Sequence, residues 1–283
     1  MINIKRIEMK NITSRLWILG LAVSIFSCQN FERPELVLIS DDDPSLNGPL
    51  QRLWAFEGVA TDSIWGSRGV ANGVSYVEGI SGKAYQGSPT GQIEYSSAGK
   101  LATMESFTIA FWMNTAKHDG GAQSVFMLPN TEDFWGNTFM LIEGNTSKSD
   151  SMLVKFNFAG NWITFDQTKN ANGLNKWPNA YGKWKHVAYT YDGTTSKFAA
   201  YVDGKKLPLA ESVTNIMKDK APFGPLKMTN ASKFVIGGFQ QHIGIKAPAD
   251  AWMLHYTGKL DQFRVYTKAL NDAEITEIYN KKM

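Results

Sequence analysis

Ser106-Phe-Thr-Ile-Ala-Phe-Trp-Met113 constrains this chain more than any other stretch. It alternates strictly: Phe107, Ile109, Phe111 and Met113 fall on one face of a strand, and Thr108, Ala110 and Trp112 on the other. Both faces are largely apolar, so both must be covered. That places the strand in the middle of a layered β structure. Shorter runs follow the same logic. Met152–Phe158 and Asn161–Phe165 flank Ala159-Gly160 and read as a hairpin. Trp184–Tyr191 leads through Asp192-Gly193 to Phe198–Val202, and then through Asp203-Gly204 to Lys205–Leu209. Both Asp-Gly pairs suit turn positions of positive φ. Leu53-Trp-Ala-Phe56 opens the domain, and Gly258–Tyr266 reads as its last strand, with Asp261 near the start. One helix is predicted, Asn271–Tyr279, with Asn271 as its cap and Glu274 three residues on. No internal repeat is found. The pattern predicts an all-β fold, a two-sheet antiparallel β-sandwich with a short C-terminal helix. Residues Asn114–Trp177 are expected to hold enlarged hairpin loops.

The N-terminus stands apart from this pattern. Lys5, Arg6, Lys10 and Arg15 precede an apolar segment, Leu16–Phe26, that is too short for a stable bilayer-spanning helix. Cys28, the only cysteine, follows at once. This arrangement resembles the leader of a bacterial lipoprotein of the Bacteroidetes type. It implies a signal peptide over residues 1–27, lipidation at Cys28 and an outer-membrane, cell-envelope location. An ordinary secretory leader is the alternative. Residues 28–48 contain Pro34, the acidic run Asp41-Asp42-Asp43, Pro44 and Gly48, and read as a flexible tether. The acidic run is either an export cue or a solvated linker. Residues 49–283 form the folded domain. Removal of the leader takes four basic residues and one acidic one, so the 29 Lys+Arg and 26 Asp+Glu become 25 of each. A neutral mature chain gives no basis for nucleic-acid binding. Without a second cysteine it needs a packed core for its stability, which one domain of this size can bury.

Six segments, in order, resemble laminin-G-like jelly rolls of the concanavalin A-like lectin and glucanase superfamily. They are Leu53–Glu57, Gly79–Tyr85, Ser106–Trp112, Trp184–Tyr189, Ala200–Gly204 and the block from Phe234-Val-Ile-Gly-Gly238 through Tyr256–Tyr279. The resemblance implies a jelly roll over about Leu50–Tyr279 and a carbohydrate-related function. It also implies one structural Ca²⁺ near the start and end of the domain. By resemblance Glu57, Asp62 and Asp261 would supply carboxylates and Asn72 a carbonyl, since Ca²⁺ takes six to eight hard oxygens. The alternative is that Asp62 caps a turn and that Asp261 pairs with Arg264 or caps an edge.

Hydrolysis finds little support. Retaining enzymes of this superfamily carry Glu-x-Asp-x-x-Glu on one strand, and that motif is absent. Glu132 and Asp133 are adjacent, while Glu143 and Asp166 stand alone. No nucleophile elbow is present. The four histidines are scattered, and His186 reads as a packing residue. Aromatics are more informative. Sugars stack flat C–H faces on Trp and Tyr while their hydroxyls bond short polar side chains. Trp54, Trp112 and Trp184 lie in apolar strands and read as core. Trp135, Trp162, Trp177 and Trp252 lie in polar, Gly-rich or Pro-rich settings; Asn137, Asn179 and Tyr181 adjoin them. Such loop aromatics either cover the sandwich ends or stand in solvent as a binding site. The resulting expectation is a lipid-anchored lectin-like domain that holds a glycan for partner enzymes or transporters without cleaving it. A glycosidase with a carboxylate pair from distant strands, and a structural or protein-adhesion module, are the alternatives.

Overall fold

The computed structural model describes residues 48–144, 150–164 and 176–282, all within one compact unit, Pro44–Met283. The leader, Cys28, most of the tether and Asp166 lie outside the described residues. Strands are numbered along the chain. The first large sheet runs, in spatial order, β13 (Lys205–Lys206), β12 (Lys197–Val202), β11 (Lys185–Asp192), β6 (Phe107–Asn114), β18 (Lys259–Tyr266), β4 (Lys83–Gln86) and β3 (Ser75–Glu78). Strand β1 (Leu50–Trp54) also pairs with β18. The second sheet runs β10 (Asn161–Thr164), β9 (Val154–Phe158), β8 (Thr138–Ile142), β7 (Ala122–Leu128), β16 (Phe234–Ile236), β5 (Gln92–Tyr95) and β2 (Val70–Asn72). Strand β17 (Met253–His255) adds to β7 in parallel; the other pairings within both sheets are antiparallel. A small hairpin joins β14 (Met217–Lys218) to β15 (Ala221–Pro222). The fold is therefore a two-sheet jelly-roll sandwich, as the alternation implied.

The strand at Ser106–Met113 does sit centrally, between β11 and β18. Its inner residues join a core rich in aromatic rings. Phe111 stacks on Phe263 with centroids 4.8 Å apart, and Phe156 stacks on Tyr189 at 4.1 Å. A bulge in β18, with Gln262 at φ 48°, keeps both Leu260 and Phe263 in that core while Asp261 faces out. On the outer face, Ala110, Ala188 and Ala199 are small enough for α2 (Asp272–Asn280) to lie close, packing Leu270 and Ile275 against them. Trp112 stacks on Tyr279 at 5.5 Å, and Asn271 and Glu274 cap the helix reciprocally. The predicted helix is thus present, one residue displaced. A further single turn, α1 (Glu211–Thr214), had no clear signal in the sequence.

Three differences from expectation stand out. Asn114–Trp177 holds four strands, β7 to β10; the hairpin of β9 and β10 was expected, whereas β7 and β8 are additional to it. Every residue of β7 and β8 is buried, so neither shows the alternation that marks a half-exposed strand. In the Asp192-Gly193 turn the positive φ belongs to Ser196, at 57°. Gly193 is needed for space instead, since a Cβ there would meet the Glu105 carbonyl oxygen at 2.4 Å. Trp184 is half-buried just before β11 rather than in the core. The Ala159-Gly160 and Asp203-Gly204 turns do use positive φ at both residues.

Candidate functional site

Three of the four singled-out tryptophans meet on the outer face of the second sheet. Trp135 and Trp162 lie edge to face with centroids 4.9 Å apart, and Trp252 reaches Trp135 at 6.0 Å. Phe139 stacks beneath Trp135 at 5.6 Å, and Phe239 meets Trp252 at 5.5 Å. Trp162, Trp252 and Phe134 remain 41%, 37% and 38% exposed. An aromatic cluster assembled from four chain segments therefore faces solvent.

Each segment is held by ordinary backbone chemistry. Trp162 stands on β10, directly after the tight Ala159-Gly160 turn. The loop carrying Trp135 is turned by Asp133, whose carboxylate accepts from Trp135 N–H at 2.7 Å. Gln240, fully buried, then pins that loop. Its Nε2 donates to the Asp133 and Phe134 carbonyls and its Oε1 accepts from Asn130 N–H. Gln241 adds a further bond to the Phe134 carbonyl at 2.7 Å. Trp252 donates from its indole to Asp250, and its carbonyl accepts from Ala122 N–H at the start of β7. These two glutamines went unmarked at the sequence level; their neighbour Phe239 was the only local hint of an apolar anchor.

Beside the cluster lies an open groove of about 810 Å³ lined by Asn130, Asp133, Trp135, Asn157, Asn161 and Trp162, with Lys218 and Lys227 also in its lining. Asn161, Trp162 and Met217 also border a second groove of about 720 Å³. Trp162 stands between the two. Both volumes lie within the range of small-molecule sites, roughly 300–1,000 Å³. Asp133 is the carboxylate of the first groove and Glu211 that of the second. Asn137 lines the first groove but is buried and structural, donating to the Pro129 and Thr229 carbonyls.

The other candidates are placed elsewhere. Trp177 is buried in the main core, 4% exposed, and its backbone pairs with Met152. The polar residues around it mark a turn at the sandwich end, so it is corrected from ligand contact to packing residue. Tyr181 packs partly against the same core, while Asn179 occupies an exposed turn at φ 51°. Neither joins the Trp135 cluster.

The four metal candidates do not form one site. Asp62 is fully buried and saturated: it accepts from Leu53, Ile64 and Trp65 N–H and from Arg52 Nη1 at 3.1 Å. No oxygen is left for a cation, and the turn-capping alternative is the correct one. Asn72 is exposed on β2, in the opposite sheet from Asp261. Glu57 and Asp261 do converge, on the Gly79–Gly82 turn. Asp261 Oδ2 accepts from Ile80 and Ser81 N–H at 2.8 and 3.2 Å, and Glu57 Oε2 accepts from Lys83 N–H at 3.0 Å. A Cβ at Gly79 or Gly82 would lie 2.5 or 2.3 Å from these carboxylates, which is why the turn needs glycine. Asp261 Oδ1 is buried without a partner, and burial, reinforced by Glu57, pushes this carboxyl up to about 6. Among the described residues no three His, Cys, Asp or Glu side chains gather to hold a metal. Asp261 does not pair with Arg264, which bonds Gln262 instead.

Residues 87–276 match the family model described as the concanavalin A-like lectin/glucanases superfamily, laminin-G type, and the chain belongs to that family. Neuronal pentraxin-2 of Cavia porcellus is 24% identical over 181 residues, covering 64% of this chain. The match spans about a third, 35%, of that relative's length. Domain 4 of AbnA, a GH43 extracellular arabinanase from Geobacillus stearothermophilus solved with arabinotriose, is similar at TM-score 0.55 and 17% identity. The match covers 82% of this chain and 98% of that one. Trypanosoma rangeli sialidase, solved with sialic acid, is similar at TM-score 0.52 and 14% identity over 81% of this chain and 32% of its own. At such identities the likeness concerns the fold; one fold hosts many functions.

Proposed function

We propose that this chain is a carbohydrate-binding domain that holds a polysaccharide or glycoconjugate, without cleaving it, in the groove beside Trp135 and Trp162. The observation that carries the reading is the convergence of Trp135, Trp162 and Trp252, distant in sequence, into one solvent-facing cluster edged by Asn and Asp side chains. Stacking surface beside short polar groups is what sugar recognition requires. Glycosidic cleavage needs two carboxylates, about 5–5.5 Å apart for retention or 6.5–9.5 Å for inversion. Among the described residues each groove offers one. Cys28 would carry the lipid that ties the domain to the outer membrane, where a retained glycan passes to partner enzymes or transporters.

A structural Ca²⁺ belongs to the same proposal, in reduced form. The orphaned Asp261 oxygen and the neighbouring Glu57 fit a hard cation, which would draw its remaining oxygens from backbone carbonyls or water. Asp62 and Asn72 play no part in it. The cation would neutralise the buried Asp261 carboxylate beside the exposed Glu57 and fasten the Gly79–Gly82 turn to β18.

The test is a binding screen of the purified chain against soluble plant, host and microbial glycans, with and without a calcium chelator, and with an assay for new reducing ends. Binding without cleavage, weakened by Trp162→Ala, supports the reading. New reducing ends move the protein to the hydrolases. Absence of binding makes a structural or adhesion role the better account.

A further inference from the structure

Two side chains among the described residues keep two polar atoms apiece buried and wholly without partners: His186 and Asn157. His186 lies under α2, where Trp112 and Tyr279 flank it, and none of the grooves described reaches it. Asn157 is different. It is 1% exposed, yet it lines the groove beside Trp162. In β9 it alternates with the core residues Phe156 and Phe158, so it faces outward. Its cross-strand neighbours on that face are Phe139 on β8 and Trp162 on β10. Those strands lie two steps apart, roughly 10 Å, but the two rings approach to 5.2 Å. They lean together over the amide and close it off. An unpaired buried amide costs stability, and a leucine would fill the same space without that cost.

We propose that Asn157 is the specificity-determining residue of this site, and that it recognises a sugar bearing a free vicinal diol once Trp162 swings aside. The inference rests on the carbohydrate reading above. An amide presents one donor and one acceptor side by side; two adjacent hydroxyls present the complementary pair. Of the two covering rings, Phe139 is fully buried in the middle of the sheet, whereas Trp162 is half-exposed on the edge strand. Trp162 is therefore the cover that moves. The closed form shields the amide, and the occupant satisfies it while its C–H face meets the displaced indole.

The experiment uses the full chain with soluble arabinan and xylan, each intact and after periodate oxidation followed by borohydride reduction, which opens vicinal diols. Asn157→Leu should unfold at higher denaturant than wild type and bind the intact glycan about tenfold or more weakly, the loss expected for one or two hydrogen bonds. The diol-opened glycan should bind wild type as poorly. Asn157→Ala, which adds no bulk, should show the same loss of binding. The inference is overturned on its own if wild type binds and the Asn157 variants bind equally well. Equal binding of the diol-opened glycan, or a less stable Asn157→Leu, overturns it too. If wild type binds neither probe nor any other glycan of the screen, the carbohydrate reading fails and takes the inference with it.

Discussion

The two sheets turn similar inner faces to one core but treat their outer faces in opposite ways. The first sheet is covered. Three alanines make room for α2, Trp112 is stacked by Tyr279, and the neutral imidazole of His186 is shut beneath them. The second sheet is left open where Trp135, Trp162 and Trp252 collect, and grooves of about 810 and 720 Å³ remain beside them. Large rings on a covered face are structural. The same rings on an open face, with the Trp135 loop held by Gln240 and Gln241, leave stacking area for something else.

The largest test of this contrast is stability. Trp112→Ala removes a buried ring from under α2 and should cost about 3–5 kcal/mol in urea unfolding. Trp162→Ala on the open face should cost much less while weakening glycan binding. Equal stability losses would erase the distinction between the faces.

Acid should act next, and mainly through histidine. Burial lowers His186 to about 4, as it does His242, which also feels His255 stacked 3.7 Å away. A histidine with a depressed folded value binds its proton more tightly when unfolded. Stability therefore holds above about 6.5 and falls as the pH drops toward 4. Denaturation midpoints between these limits should decline for wild type and decline less for His186→Phe.

Asp261 runs the other way. Its value is raised from 3.8 to about 6, so the stability it contributes is present below 3.8 and lost as pH rises through 6. At neutral pH in chelator, Asp261→Asn should match or exceed wild type in melting temperature. Ca²⁺ should raise the wild-type value by a few degrees and leave Asp261→Asn unmoved. A Ca²⁺ response that survives this substitution would place the cation elsewhere.

The smallest stability effect belongs to Trp252→Ala, a ring more than a third exposed. It should change stability by less than about 1 kcal/mol while still weakening glycan retention in affinity electrophoresis. Unchanged retention would confine the site to Trp135, Trp162 and Asn157.

Legibility in the sequence followed exposure. Strands with one wet face, the turns Ala159-Gly160 and Asp203-Gly204, and the capped last helix announced themselves through local chemistry. β7 and β8 did not, because full burial removes the polar beat that periodicity depends on. Trp177 and Trp162 sit in equally polar neighbourhoods, yet one is packed inside and the other stands in solvent. Asp62 and Asp261 resemble each other as lone loop-proximal acids, but only Asp62 finds an arginine and three N–H groups.

Alternation, turn residues and capping act between near neighbours, so the chain by itself determined a β-sandwich with a terminal helix and nominated its unusual tryptophans. Which of them meet, which acid retains a free oxygen, and that Asn157 lies hidden under two rings depend on residues brought together from distant segments. Only tertiary packing decides such contacts, because burial and hydrogen-bond satisfaction are settled across sheets rather than along a strand.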